Sequence, residues 1–241
     1  MTPFLKLVAD DLYRKLGGNF QDTCIIFPNK RASLFFTEYL WSNSNGETMW
    51  TPEYTSISEL FASLSDYTTG DSIFLVLKLW EVYREKMQPT KPLDQLYALM
   101  ETMLSDFQDI DNNMVDPSKL FLNIAELKEM TDFSFLEDEQ REAIELFFGK
   151  FFTERNANTP LKSQFKTLWN KMTELYEAYQ AALLDTEEEP MLYEGMLKRK
   201  VVEALTGKDE DARMRVDARL SAKTYVAVGF NVLNKTEMEL F

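Results

Sequence analysis

Thr23-Cys24-Ile25-Ile26-Phe27-Pro28-Asn29-Lys30-Arg31-Ala32 decides the fold class. A short apolar run stops at a proline, which has no N–H to carry a strand ladder further. The polar Asn-Lys-Arg turn then opens a helix predicted near 30–42, with Leu34, Phe35, Tyr39 and Leu40 among its apolar positions. Strand, polar turn and helix in that order form the unit from which α/β proteins are built. Such a turn brings donors and positive charge to the carboxyl edge of a sheet, where open α/β folds bind ligands.

Outward from that stretch, the pattern is uneven. Upstream, Phe4, Leu5, Val8, Leu12 and Leu16 recur at helical spacing over 3–16, and Gly17-Gly18 stops the helix. Downstream, Asn43–Gly46 makes a turn and 52–58 reads as a short extended piece whose Ser56 or Ser58 caps a helix from Glu59. From 71 to about 205 helix follows helix, with spans predicted over 71–87, 93–111, 117–129, 137–153, 161–184 and 191–206. The charged stretch 207–219 is a loop or a solvated helix. Thr224–Phe230 forms a second buried strand, and Leu233–Phe241 starts a last helix. Two strands some 200 residues apart are expected to pair in one parallel sheet, with the helices inserted between them. The fold class is thus α/β, predominantly helical, with a small parallel sheet and a large all-helical insertion.

Composition removes several chemistries. There is no His in the 241 residues, so a Ser-His-Asp or Cys-His nucleophile and a His-bearing zinc site are excluded. No metal site and no cofactor are expected. The single Cys, Cys24, sits in a strand predicted to be buried, as an inert core residue. No apolar stretch approaches the roughly 20 residues of a membrane span, and Asp10 and Asp11 interrupt any signal-peptide core. The expected location is the cytoplasm, with no membrane partner.

The net charge of −14 is concentrated in the middle: residues 61–160 carry −10, whereas 1–60 and 161–241 carry −2 each. Acidity of this kind confines contact with nucleic acid to the ends of the chain without forbidding it. Asn29, Lys30 and Arg31 read either as an exposed loop with a helix cap or as a phosphate contact. Ser56 and Ser58 read as helix caps or as hydrogen-bond donors to a nucleic-acid backbone. Lys198-Arg199-Lys200, the tight basic cluster of the later half, divides between a solvated face and a phosphate contact. Asp109-Ile110-Asp111-Asn112-Asn113 imitates the start of a calcium loop, but Met114 and Leu120 stand where that loop needs Gly and Glu, which leaves a solvated helix end. Glu187–Glu189 is a loop charge run, and the stripe Phe147, Phe148, Phe151, Phe152 suits helix packing better than base stacking.

Three phrases carry a family resemblance. IIFPNKRASLFFTEYL (25–40) resembles motif Ia of UvrD-like, superfamily-one helicases, where a strand runs into a turn and helix that contact single-stranded DNA. YTSISELFASL (54–64) is similar to the next motif, with Ser56-Ile57-Ser58 in place of a His-containing segment that touches the DNA backbone. YVAVGFNVLNKTEMELF (225–241) is similar to the Walker B strand, but Gly229 and Phe230 stand where an active helicase has its Mg²⁺-binding Asp and catalytic Glu. No phosphate-binding Gly-rich loop precedes 23–27; Gly17-Gly18-Asn19 lacks both the spacing and the Lys. A helicase-like domain without its ATPase motifs resembles the AddB/RexB family of helicase–nuclease subunits, in a branch labelled PD-(D/E)XK nuclease family.

That resemblance implies a degenerate helicase-like core over 1–65 and 220–241 and an inserted helical subdomain over 66–219. It implies no ATPase activity and no catalytic residue in this chain. The expected role is DNA-backbone contact and partner docking in double-strand break repair and recombination. Asn29, Lys30, Arg31, Ser56 and Ser58 would line the DNA path, on single strands or a duplex end, and Gly229 and Phe230 mark the dead ATPase position. The implied partners are DNA, an AddA-like helicase subunit and the remaining C-terminal half of the same protein. That half would hold a second helicase-like region and the nuclease domain of an exodeoxyribonuclease, which makes this chain its N-terminal part, starting naturally at Met1. The rival expectation is an acidic helical interaction module with no DNA role; an active ATPase is disfavoured by the absence of the motifs.

Overall fold

The computed structural model describes residues 2–120, 171–186, 189–220, 222 and 224–241. The helices predicted over 117–129 and 137–153, the first part of that over 161–184, and the Phe147–Phe152 stripe lie largely or wholly outside them. The chain is α/β and mostly helical, with a small parallel sheet. It divides into two compact units: residues 1–70, 111–114 and 189–241 form the first, and 71–110 and 115–188 the second.

The first unit begins with α1 (Phe4–Leu16), which ends where Gly17 takes a left-handed conformation (φ 61°) and donates its N–H to the Tyr13 carbonyl at 2.9 Å. Strand β1 (Thr23–Phe27) is buried at all five positions, as a central parallel strand covered on both faces must be. It leads through Pro28–Lys30 into α2 (Arg31–Asn43), and the chain returns as β2 (Glu53–Ser56), parallel to β1. Helix α3 (Ile57–Leu64) follows directly. The chain continues into β3 (Thr68–Thr69), a two-residue strand paired with β4 (Met191–Leu192) just before α7 (Glu194–Thr206). After α8 (Glu210–Ala218) the chain enters β5 (Thr224–Ala227), parallel to β1 on the side away from β2, and ends in α9 (Lys235–Leu240).

Register explains the core. Ile25 pairs with Tyr54 on one side and Val226 on the other, so the three side chains share one face of the sheet. On that face Ile25 and Phe27 pack with Phe20, Ala9 of α1, Phe36 and Leu40 of α2, and Val228. Phe36 meets Phe27 edge-on at 5.6 Å, and burial of each such ring is worth about 1.5–3 kcal/mol. Cys24 and Ile26, on the opposite face, are equally buried.

The second unit holds α4 (Ser72–Met87), residues 93–110 of α5 (Leu93–Asn112) and α6 (Met172–Leu184). Asp71 caps α4 by accepting the N–H groups of Ile73 and Phe74, both at 2.9 Å. Phe107 packs edge-on against Tyr176 at 5.2 Å, and the buried Tyr179 hydroxyl donates to the Leu75 carbonyl at 3.0 Å, so α4, α5 and α6 share one core. Among the described residues no helix is long and apolar enough to cross a membrane.

Two expectations change, and of the two readings left open for 207–219 the solvated helix holds. The second strand is shorter and less buried than predicted: it stops at Ala227, with Thr224 and Ala227 exposed, because β5 is an edge strand and Gly229 (φ 83°) turns the chain away. The stretch 207–219 is a helix over most of its length, started by Asp209, which accepts the Ala212 N–H at 3.1 Å. Helices α7 and α8 belong with the sheet-bearing unit.

A polar edge at the carboxyl ends of three strands

Because β2, β1 and β5 are parallel neighbours, the residues that follow them emerge at one edge. Asn29, Lys30 and Arg31 follow β1, Ser56 ends β2 with Ser58 in the first turn of α3, and Gly229 and Phe230 follow β5. The sequence-predicted residues therefore come to the same edge. An added Cβ on Gly229 would meet the Pro28 ring only at 4.0 Å, so positive φ, not crowding, calls for glycine there.

Each predicted side chain has a local task. Asn29 accepts the Arg31 N–H at 2.8 Å through its side-chain oxygen and so shapes the turn into α2. Lys30 is exposed, and its ammonium pairs with Glu59. The Arg31 guanidinium is exposed and has no partner among the described residues. Ser56 caps α3: its hydroxyl oxygen accepts the Glu59 N–H at 3.3 Å while Glu59 accepts the Ser56 N–H at 3.1 Å. Ser58 donates to Glu194 at 2.5 Å. The Phe230 ring lies 6.1 Å from that of Phe241, edge to face.

Glu59 thus serves the capping box and the Lys30 ammonium together. The Lys30 contact, then the Ser56 N–H, hold its carboxyl below the usual value of 4.5. Glu194 is pulled two ways: burial opposes ionisation, but the Ser58 hydroxyl and the Lys198 ammonium at 2.9 Å outweigh it, and the net shift is downward.

Lys198 belongs to neither alternative foreseen for it. Its side chain is 6% exposed, clamped between Glu194 and Glu237, with its ammonium 5.6 Å from the centre of the Phe61 ring. Glu237 in turn closes the capping box of α9 with Asn234. Arg199 pairs with Asp111 at 3.1 Å and Glu203 at 2.9 Å, and Lys200 lies 3.5 Å from Glu203. Asp111, foreseen as part of a solvated helix end, is 0% exposed and also accepts the Tyr193 hydroxyl. A helix end can be buried when an arginine and a phenol satisfy its carboxylate.

No protein-family model matches this sequence, and no curated protein does. What the edge offers chemically follows from its groups alone. With the Arg31 and Glu59 N–H groups taken by Asn29 and Ser56, it presents, among the described residues, the unpartnered Arg31 guanidinium and the Lys30 ammonium shared with a carboxylate. Such groups suit a phosphodiester better than a neutral ligand.

The paired carboxylates were not singled out from sequence, and neither was the burial of Lys198. Ser56-x-x-Glu59 and Asn234-x-x-Glu237 carry a capping-box spacing that flags both glutamates, but no local signal joins Glu59 to Lys30 or Glu237 to Lys198.

Proposed function

We propose that this chain is the non-catalytic, helicase-like N-terminal region of an AddB-type helicase–nuclease subunit, contacting DNA backbone and docking a partner during double-strand break repair. The observation that carries it is the meeting of the Asn29–Arg31 turn with Ser56 at the carboxyl ends of adjacent parallel strands, with the Arg31 guanidinium open to solvent. Gly229 and Phe230, at the end of the third strand, supply neither a carboxylate for Mg²⁺ nor one to activate water, so the edge would serve as a platform and not as a motor. The acidic stretch 61–160, with its −10 charge, stays off phosphate and suits a basic face on an AddA-like partner or on the rest of the same protein.

The test is fluorescence anisotropy with a labelled oligothymidylate across a salt series. Lys30→Ala with Arg31→Ala should weaken binding and reduce the salt slope by about 0.7 for each phosphate no longer engaged. An unchanged slope would remove the DNA assignment.

A second reading is supported by the internal pairing of Lys30 with Glu59 and of Ser58 with Glu194. An edge whose polar groups satisfy one another needs no ligand, and the chain is then an acidic interaction module. It predicts no salt-dependent affinity for DNA.

A further inference from the structure

Lys30 and Glu59 lie 29 positions apart in sequence, yet the ammonium of one rests on the carboxylate of the other at the end of β1. Glu59 is held there from a second side, because its other oxygen accepts the Ser56 N–H in the capping box. The Ser56 N–H and the Lys30 ammonium are the donors that an oxyanion at this edge would use, and one carboxylate takes both. Arg31, the next residue, carries its charge to solvent without such a partner among the described residues.

We propose that Glu59 is a built-in stand-in for a phosphate, an autoinhibitory contact that holds Lys30 away from a nucleic-acid backbone and leaves Arg31 to make first contact. This rests on the DNA-backbone reading of the edge. A carboxylate and a phosphodiester oxygen compete for the same ammonium, and both cannot hold it closely without like-charge repulsion. Phosphate contact at Lys30 therefore requires Glu59 to yield, by rotating away or by engaging a basic group of a partner. An exposed ion pair is weak enough to be exchanged in this way, since such pairs hold by about 0.2–1 kcal/mol. Affinity at this edge is thereby kept low until a second event frees the lysine.

Glu59→Gln tests this, because glutamine still accepts the Ser56 N–H and keeps the α3 cap while losing the charge. The probe is labelled oligothymidylate, read by anisotropy from low to moderate salt, with helical content and thermal midpoint as folding controls. Five proteins are compared: wild type, Glu59→Gln, Glu59→Gln with Lys30→Ala, Lys30→Ala with Arg31→Ala, and Glu47→Gln, which removes one exposed charge elsewhere. Glu59→Gln should bind about two- to fivefold more tightly than wild type and steepen the salt slope by about 0.7, one phosphate contact on a single strand. Adding Lys30→Ala should cancel both gains, and Glu47→Gln should match wild type. Binding by Glu59→Gln where wild type shows none would support the inference equally. If Glu59→Gln matches wild type while Lys30→Ala with Arg31→Ala weakens binding, the edge binds DNA and the restraint is wrong. An equal gain from Glu47→Gln also overturns it, by making the effect one of net charge. If no variant binds, both the restraint and the DNA-backbone reading fall.

Discussion

Lys198 and Glu237 form a buried ion pair, 3.1 Å apart, that ties the middle of α7 to the first turn of α9. Since α9 follows β5, the pair anchors the last segment of the chain beside α3, whose Phe61 ring faces the same ammonium. Two charges this far from water stay there only by satisfying each other, and removing one strands its partner. Lys198→Met should therefore destabilise the first unit by about 3 kcal/mol, at the low end for a broken buried pair because Glu194 is more open to solvent. Adding Glu237→Gln should restore part of the loss, since glutamine keeps the Asn234 cap without a stranded charge. Urea unfolding followed by far-ultraviolet circular dichroism checks both, and a double variant no more stable than Lys198→Met would mean the pair is not the source.

The buried Asp111 invites a parallel measurement. It holds Arg199 at 3.1 Å and takes the Tyr193 hydroxyl, with both Asp111 and Tyr193 shut off from solvent. Asp111→Asn should cost about 2–4 kcal/mol, because Arg199 loses the buried one of its two carboxylate partners and keeps only the more exposed Glu203. Tyr193→Phe should cost about 1.5–3 kcal/mol, a hydrogen bond to a charged group. The two losses should not add in the double variant, since Tyr193 contacts the very carboxylate that Asp111→Asn alters, and strict additivity would show that Tyr193 and Asp111 act independently.

What the sequence could disclose follows the range of each interaction. An unbroken apolar run announced β1, and Gly17 announced the end of α1, because each effect is local to the residues concerned. The extended piece before Ser56 and the helix after it were legible for the same reason. The two-residue strands β3 and β4 were not, since a ladder of two pairs is too short to impose any periodicity. The edge residues Asn29, Lys30, Arg31 and Ser56 could be named from turn chemistry, but their counter-charges could not. Glu59 is 29 positions from Lys30 and Glu237 is 39 from Lys198, and nothing in either neighbourhood selects the other. Asp111 looked solvated for the same reason, as its partner Arg199 arrives from 88 positions away.

Gly229 offers a clean conformational test. Its φ of 83° is unfavourable for any residue with a Cβ, yet the space around it is open, the nearest atom being the Pro28 ring at 4.0 Å. Gly229→Ala should therefore cost about 1–2 kcal/mol, from backbone strain alone. Thermal unfolding measures it, and a neutral result would show that the turn after β5 relaxes to negative φ.

Acid should weaken the first unit partly through Glu194. Its pKa is lowered in the fold, so the folded state binds the proton less readily than the unfolded chain. The stability this gives is fully present above the ordinary value of 4.5 and is lost as pH falls through the lower folded pKa. Glu194→Gln should accordingly flatten the stability profile below that value and leave its slope near neutrality unchanged. An identical acid slope in the variant would place the titration elsewhere.

Cys24 predicts the opposite limb. Burial in β1, then the negative charge of Glu53 paired beside it in register, push its thiol up from 9.0 to about 11. The folded state therefore holds the proton more tightly than the unfolded chain. Stability from this group is complete below the unfolded value and falls as pH rises from 9.0 towards about 11. Within that window the slope should approach about 1.4 kcal/mol per pH unit, and Cys24→Ala should remove it while adding a cavity cost that does not vary with pH. A thiol reagent at pH 8 should modify the native protein only as fast as the sheet opens, because the sulfur is protonated and 3% exposed. Rapid labelling of the folded chain would contradict the placement of β1 at the centre of its sheet.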